Sequence, residues 1–269
     1  MKMKKLFVML PCYNEEKDIV PLIEKWVHLS GKIEQAGYKI KIYGVDDKST
    51  DQTNRKVREC IQRYPQIVNL IEHKVNQGLG GVLQTAFRYV QVHGHRGDVM
   101  ALMDGDNTHD PCYVLSMLEK VAKGYDCVIA SRYCRTSKTK GVSLLRLFLS
   151  WGARAYYTLV LSVKNVKDYT CGYRVYTYEV IDCARKQYGE QLVEYRSFAC
   201  MMEVLYKLYL IGAQFQEVPF ELRYDFKEGE SKMKLVGTIR DSFAAALKLR
   251  MNKRRYQKYG ENRKKRGWK

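Results

Sequence analysis

The 269-residue sequence predicts an α/β fold: a mostly parallel sheet with helices on its faces, followed by a C-terminal helical extension. Three observations carry that expectation. Short apolar runs alternate with stretches of helical period up to about residue 132, the pattern of repeated strand–helix units. Each run ends in a polar, turn-forming cluster. Beyond residue 132 the alternation stops, and long apolar stretches of helical period lead into a basic tail.

Residues 5–10 read as a first strand, closed by Pro11. Apolar positions at Ile19, Leu22, Ile23, Trp26 and Val27 mark a helix over 18–29, with Pro21 in its tolerant first turn. Residues 39–45 alternate as a second strand, ending in Asp46-Asp47. Asp51 or Thr50 is placed to cap the helix that follows, to about Tyr64. A third strand spans 67–71. A glycine turn, Asn76-Gln-Gly78-Leu-Gly80-Gly81, then leads into a helix over 82–92. Residues 98–103 form a fourth strand. Asp110 reads as an N-cap with Pro111 as first helical residue, and that helix ends near Gly124. Residues 126–130 are a fifth strand. Residues 143–163 are helical and strongly apolar, with a thin polar stripe at Arg146, Ser150, Arg154 and Thr158. This suits either a core helix with one wet edge or a helix lying in a membrane interface. Residues 168–174 read as a turn, 198–211 as a helix, 214–223 as a strand, 229–232 as a loop and 237–251 as a final helix.

The fourth strand opens onto Asp104-Gly105-Asp106. In extended chain, side chains at i and i+2 point to one side. The two carboxylates therefore converge just past a strand's carboxyl end, where open α/β sheets bind ligands. Like charges that close call for a cation between them, and Mg²⁺ is held by one or two carboxylates plus substrate phosphates. A solvated acidic turn is the plainer reading of such a pair taken alone.

Composition narrows the classes. The chain is 46% hydrophobic and long enough for a sizeable core. Its eight cysteines contain no CxxC pair, which disfavours a zinc site or a disulfide frame and fits a cytoplasmic protein. The apolar part of the N-terminus is too short for a signal peptide, and no apolar run reaches the roughly 18 residues of a spanning helix. Net charge is +18, and +10 of it lies in residues 248–269, where Glu261 is the one acid. Bases gathered in a tail, without an aromatic sheet face or an RNA motif, speak against nucleic acid and leave an anionic membrane surface as a partner.

Taken in order, the landmarks form a set: Pro11-Cys-Tyr13-Asn14-Glu15, Asp46-Asp47-Lys-Ser-Thr-Asp51, Asn76-Gln-Gly78-Leu-Gly80, Asp104-Gly105-Asp106, Ser131-Arg132-Tyr133, Asp168-Tyr-Thr-Cys171-Gly172-Tyr-Arg174, and Glu217-Val-Pro219 with Arg223 and Gly229-Glu-Ser231-Lys232. Over roughly residues 4–235 this resembles the family 2 glycosyltransferases of GT-A, Rossmann-like fold, within them the dolichol-phosphate mannose synthase and polyprenyl-phosphate glycosyltransferase group.

The resemblance implies a transferase domain over 1–235 and an appended helix and tail over 236–269. It implies metal-dependent, inverting transfer of a hexose from GDP-mannose or a UDP-sugar to a polyprenyl or dolichyl phosphate. Pro11, Tyr13, Glu15, Asp46, Asp47, Gly78, Gly80 and Gly105 would line the donor. Asp104 and Asp106 would hold Mg²⁺ or Mn²⁺. Arg132, Arg146, Arg174, Arg223, Ser231 and Lys232 would meet the acceptor phosphate, with Arg132, Arg223 and Asp168 in the catalytic set. A lipid phosphate is mostly ionised at neutral pH, its second pKa being about 6, so arginines matter more to it than a base. Asp168 would orient the acceptor, or act as base for a hydroxyl.

Two departures stand out. Where near relatives place a Gln two residues past the second Asp, this chain has Thr108, leaving the third metal ligand open among Thr108, His109, Asn107 and water. The chain also lacks the transmembrane helices many members carry, so its basic tail and the 143–163 helix would serve as a peripheral anchor on the cytoplasmic face of a membrane. The competing reading is a soluble GT-A transferase acting on a saccharide or protein hydroxyl. A nucleotidyltransferase would want a glycine-rich basic loop after the first strand, which Pro11-Cys-Tyr-Asn-Glu is not. Donor base, sugar, lipid length and oligomeric state are not legible.

Overall fold

The computed structural model describes residues 3–141, 144–223 and 235–257, without the side chains of 144–148 and 235–240. Seven strands form one sheet in the order β3 (Val68–Glu72), β2 (Tyr38–Asp46), β1 (Lys4–Cys12), β4 (Val99–Leu102), β7 (Arg174–Thr177), β5 (Cys127–Ser131), β8 (Phe215–Pro219). Neighbours pair in parallel except β7, which runs antiparallel to both β4 and β5. Residues 6–10 of β1 are buried on both sides of the pleat, as expected of a central strand covered on both faces. The covering helices are α1 (Ile19–His28), α2 (Ser30–Gln35), α3 (Thr53–Arg63), α4 (Gly78–His93), α5 (Val114–Ala122), α7 (Tyr178–Tyr188) and α8 (Cys200–Leu210). α6 (Leu144–Leu161) packs against α9 (Leu235–Met251), where Tyr156 and Phe243 stack at 4.4 Å. The architecture is the expected mixed α/β, GT-A-like fold with a C-terminal helical extension.

Strand and helix positions up to β5 agree with the sequence reading to within a residue or two, with two exceptions. The short α2 has no counterpart in that reading. α4 starts at Gly78, inside the expected glycine turn. Asp110 caps as expected, its carboxylate accepting the Cys112 N–H at 2.8 Å. Later in the chain the reading misses more. β7 and α7 went unrecognised. The strand expected over 214–223 is two strands, broken at the buried Phe220: β8 stays in the main sheet, while β9 (Glu221–Arg223) pairs with β6 (Lys138–Lys140).

An ion cluster ties the C-terminal segment to this body. Lys207 and Glu203, both fully buried on α8, pair at 2.7 Å, and Lys207 reaches Glu194 at 2.8 Å. The second Glu203 oxygen accepts the N–H groups of Glu194 and Tyr195. Tyr256 covers the Lys207 ammonium at 4.7 Å and donates its hydroxyl to Glu194 at 3.1 Å.

Candidate active site

The register of the central strands brings three polar turns together. Cys12 lies beside Asp46, and Met9 beside Leu102. The turns after β1 and β2 interlock: Asn14 accepts the Thr50 N–H at 2.7 Å, and Thr53 accepts the Glu15 N–H at 2.7 Å. Tyr13 stays 41% exposed at this mouth. Asp46 accepts the Ser49 N–H at 3.1 Å and the Asn54 amide at 3.0 Å.

Asp104 and Asp106 follow directly from β4, both half-buried. Gly105 between them rests on the Pro11 carbonyl, where a Cβ would come within 2.5 Å of the oxygen. Gly172 lies against Asp104 so closely that a Cβ there would sit 2.5 Å and 2.6 Å from its two oxygens. The Thr108 hydroxyl donates to Asp106 at 2.7 Å. This donor set suits a divalent ion. Its other expected ligands are engaged elsewhere: Thr108 on Asp106, Asn107 accepting from Lys25 at 2.8 Å, and His109 packed flat on Phe220 at 5.3 Å with Cys171 Sγ 3.8 Å from its Nε2. Among the described residues no group of three or more His, Cys, Asp or Glu could hold a metal. Two carboxylates, with phosphate oxygens and water completing the shell, are what Mg²⁺ or Mn²⁺ accepts and what a resident zinc site does not. Burial pushes the His109 imidazole down to about 4; the attraction of Asp106 is outweighed, and the ring is neutral at pH 7.

On the other side of Gly172 stands Arg132, at the end of β5. Its Nε and Nη2 donate to the two oxygens of Asp168 at 2.8 Å and 2.6 Å, and Nη2 also to Thr170. Asp168 is fully buried and collects five N–H donors: three from Arg132 and the backbones of Thr170 and Cys171. Burial pushes its pKa up, but the Arg132 charge and these hydrogen bonds outweigh that and hold it below the ordinary carboxylate value. The 168–172 turn thus has Arg132 at one end and Asp104 at the other. Arg223 arrives from β9, its N–H on the Thr108 carbonyl at 3.1 Å, beside a pocket of about 90 Å³ that Lys25, Asn107, His109 and Glu221 also line.

Residues 7–185 match the model of glycosyl transferase family 2. The chain belongs to that family and is a glycosyltransferase. It is 29% identical over 231 residues to the dolichol-phosphate mannosyltransferase of Pyrococcus furiosus, a match covering 86% of this chain and 59% of that protein. It is 28% identical over 230 residues to the polyprenol monophosphomannose synthase of Mycolicibacterium smegmatis, covering 86% and 81%. Among solved structures, glucosyl-3-phosphoglycerate synthase from Mycobacterium tuberculosis, in complex with Mn²⁺, UDP-glucose and phosphoglyceric acid, is similar in fold, with a TM-score of 0.65 at 15% identity over 92% of this chain and 80% of that one.

Several expected site residues of this family 2 transferase have structural work instead. Arg174 is not at the acceptor: it is fully buried, its guanidinium donating to the carbonyls of Cys171, Tyr169 and Met201. Asp47 does not face the donor, because it accepts from His73 at 2.7 Å and from the Gln77 and Gly78 N–H groups at 2.8 Å each. It caps α4 from a neighbouring strand, satisfying helix-terminal donors. Gly78 and Gly80 admit close approach of protein, not of ligand: a Cβ on Gly80 would lie 1.9 Å from the Tyr195 carbonyl oxygen, and one on Gly78 2.7 Å from that of Arg196. Asp168, buried and saturated, aims Arg132 and is no base. The Arg146 side chain, Ser231 and Lys232 lie outside the described residues. Gly172 and Thr108, which set the Asp104 and Asp106 carboxylates, were given no such role from sequence. A Gly two residues before an inward-facing Arg, in a motif beside the acidic pair, was the available signal.

Proposed function

We propose that this glycosyltransferase moves a hexose from a nucleotide-diphosphate sugar, GDP-mannose or a UDP-sugar, onto a phosphate-bearing acceptor with inversion, and that the acceptor is a polyprenyl phosphate. The observation that carries the reading is the opposition of Asp104 and Asp106 to Arg132 across the 168–172 turn. Pro11, Tyr13, Glu15 and Asp46 enclose the nucleoside. Asp104 and Asp106 would hold Mg²⁺ or Mn²⁺, which neutralises the departing nucleoside diphosphate. Thr108 and Gly172 keep those carboxylates in place. Arg132 and Arg223 offer N–H groups to the acceptor phosphate, which is already ionised and needs no base.

The two mannose-lipid synthases among the relatives support the lipid acceptor. So does the surface of α6 and α9. Trp151 and Leu159 on α6 are 60% and 81% exposed, and Met251 on α9 is 83% exposed beside exposed Lys248, Arg250 and Arg254. Apolar side chains among bases fit an anionic membrane surface. No helix among the described residues is long and apolar enough to cross a membrane. From the exposed apolar and basic side chains we infer peripheral attachment, on the cytoplasmic face. We take 1–235 as the transferase domain and 236–269 as the appended helix and tail.

The soluble reading has the solved structure on its side, since that glucosyl-3-phosphoglycerate synthase is in complex with phosphoglyceric acid. Incubation with nucleotide sugars, Mg²⁺ and either a short polyprenyl phosphate, phosphoglycerate or a phosphate-free saccharide separates the readings. A lipid-linked sugar is expected. Product on phosphoglycerate or the saccharide, with none on the lipid, would replace this reading with the soluble one.

A further inference from the structure

Arg132 carries less net charge than its position suggests. Asp168 cancels most of that charge at 2.6 Å and one further bond holds Nη2 to Thr170, so Arg132 brings the acceptor directed N–H groups more than net charge. Arg174 is spent on carbonyls. An anion drawn to this side needs a cation that no carboxylate has neutralised. One stands on α6. The Arg154 guanidinium carbon lies 4.9 Å from the Tyr133 ring centre and 5.1 Å from that of Trp151. Tyr133 follows Arg132 in the chain, and its ring also lies 5.6 Å from the Arg132 guanidinium. The Tyr133 hydroxyl donates to the Ser150 carbonyl at 2.9 Å, which fixes the ring against α6. The polar stripe of this helix, which reads from sequence as a wet edge, therefore docks inward at Ser150 and Arg154. Among the described residues Arg154 has no carboxylate within ion-pair distance. Aromatic faces orient a guanidinium without cancelling its charge, and they leave its in-plane N–H groups for an oxyanion.

We propose that Arg154 is the uncompensated guanidinium that recognises the phosphate monoester of the acceptor, held in place by Tyr133 and Trp151. This rests on the reading of a phosphate-bearing acceptor. The same chemistry occurs on a lipid headgroup and on a soluble phosphate, and exposed Trp151 beside Arg154 favours the lipid.

Calorimetric titration of the full chain with citronellyl phosphate and, separately, with phosphoglycerate tests it, using wild type, Arg154→Ala, Arg154→Lys and Trp151→Ala. Arg154→Ala should weaken binding at least about tenfold, with Arg154→Lys intermediate. Affinity for the nucleotide sugar and the melting temperature should hold. Trp151→Ala should weaken citronellyl phosphate more than phosphoglycerate if the source is lipid, and both equally if it is soluble. Binding by Arg154→Ala within twofold of wild type, an equal loss of donor affinity, or no phosphate binding by wild type overturns the assignment. Phosphate binding that depends on Arg154 without any sugar transfer would uphold it and remove the proposed function instead. If Arg154→Ala melts early, Arg154→Gln replaces it under the same criteria.

Discussion

In the proposed donor half of the site, neutral groups help to set the carboxylates. Thr108 orients Asp106, Gly172 backs Asp104, and Asn54 with the Ser49 N–H holds Asp46. In the proposed acceptor half one guanidinium is set by a buried carboxylate, and a second by aromatic rings. A neutral support orients a carboxylate without itself cancelling its charge. A carboxylate support fixes geometry and removes charge. The two halves show that a residue's position and its electrostatic role are separate properties, and that partners decide the second.

Removing charge from the donor half should have the largest effect. Asp104→Asn or Asp106→Asn is expected to lower kcat/KM by about 10²–10³ with unchanged circular dichroism, by analogy with deletion of one transition-state charge stabiliser. Retained activity in chelator would break the comparison at its root. Next comes the support of the acceptor half. Asp168→Asn leaves Arg132 with a lost partner, and urea unfolding should show a loss of about 3 kcal/mol, the low end for a broken buried pair because Arg132 keeps 23% exposure. The sign with pH follows from its depressed folded pKa. Asp168 stabilises above the unfolded carboxyl range, near 3.8, and that contribution is lost as pH falls towards the folded value. Stability of the variant should therefore depend less on pH below 4 than that of wild type.

Gly172→Ala sharpens the contrast by disturbing a neutral support alone. The new methyl must displace the Asp104 carboxylate, and transfer should drop about tenfold to a hundredfold, as small misplacements do, while thermal stability changes little. The smallest effect concerns His109. Its folded pKa of about 4 lies below the unfolded 6.5, so the unfolded chain takes up a proton that the native state refuses. Stability should decline as pH drops through that window, and His109→Phe should flatten the slope in a pH series of melting curves. The rate should show no inflection between pH 6 and 8 from this ring.

Legibility from sequence follows the same divide. β1 to β5 were readable because each is an apolar run ending in a turn cluster. The acidic pair was readable because its spacing and place at a strand end are local facts. β7 was hidden because it begins with Arg174, a residue type that reads as surface, and its burial is made tolerable by the carbonyls of Tyr169 and Cys171 in the preceding turn and of Met201 on α8. Gly78 to Gly81 read as a loop because glycine disfavours helix interiors. The compensating cap, Asp47, comes from another strand, and the need for glycine comes from the Tyr195–Arg196 backbone, far away in sequence. Phe220 broke an apparently continuous strand through its seat on His109. Arg154 was visible as part of a stripe, but a helical period does not say which way a stripe faces.

The wedge of Gly80 under residues 195–196 gives the segment around Tyr256 mechanical leverage over the side proposed to bind the nucleotide. Tyr256 grips Glu194; Glu203 anchors the Glu194 and Tyr195 amides; Arg196 receives the Gly80 amide at 3.1 Å; and α4 is capped by Asp47 next to Asp46. Shortening the chain just before Tyr256 would slacken this linkage from its far end, while a cut a few residues later would trim basic residues and spare the lever. Two truncations differing by a handful of amino acids should thus part company in donor affinity, though neither touches a donor-facing group.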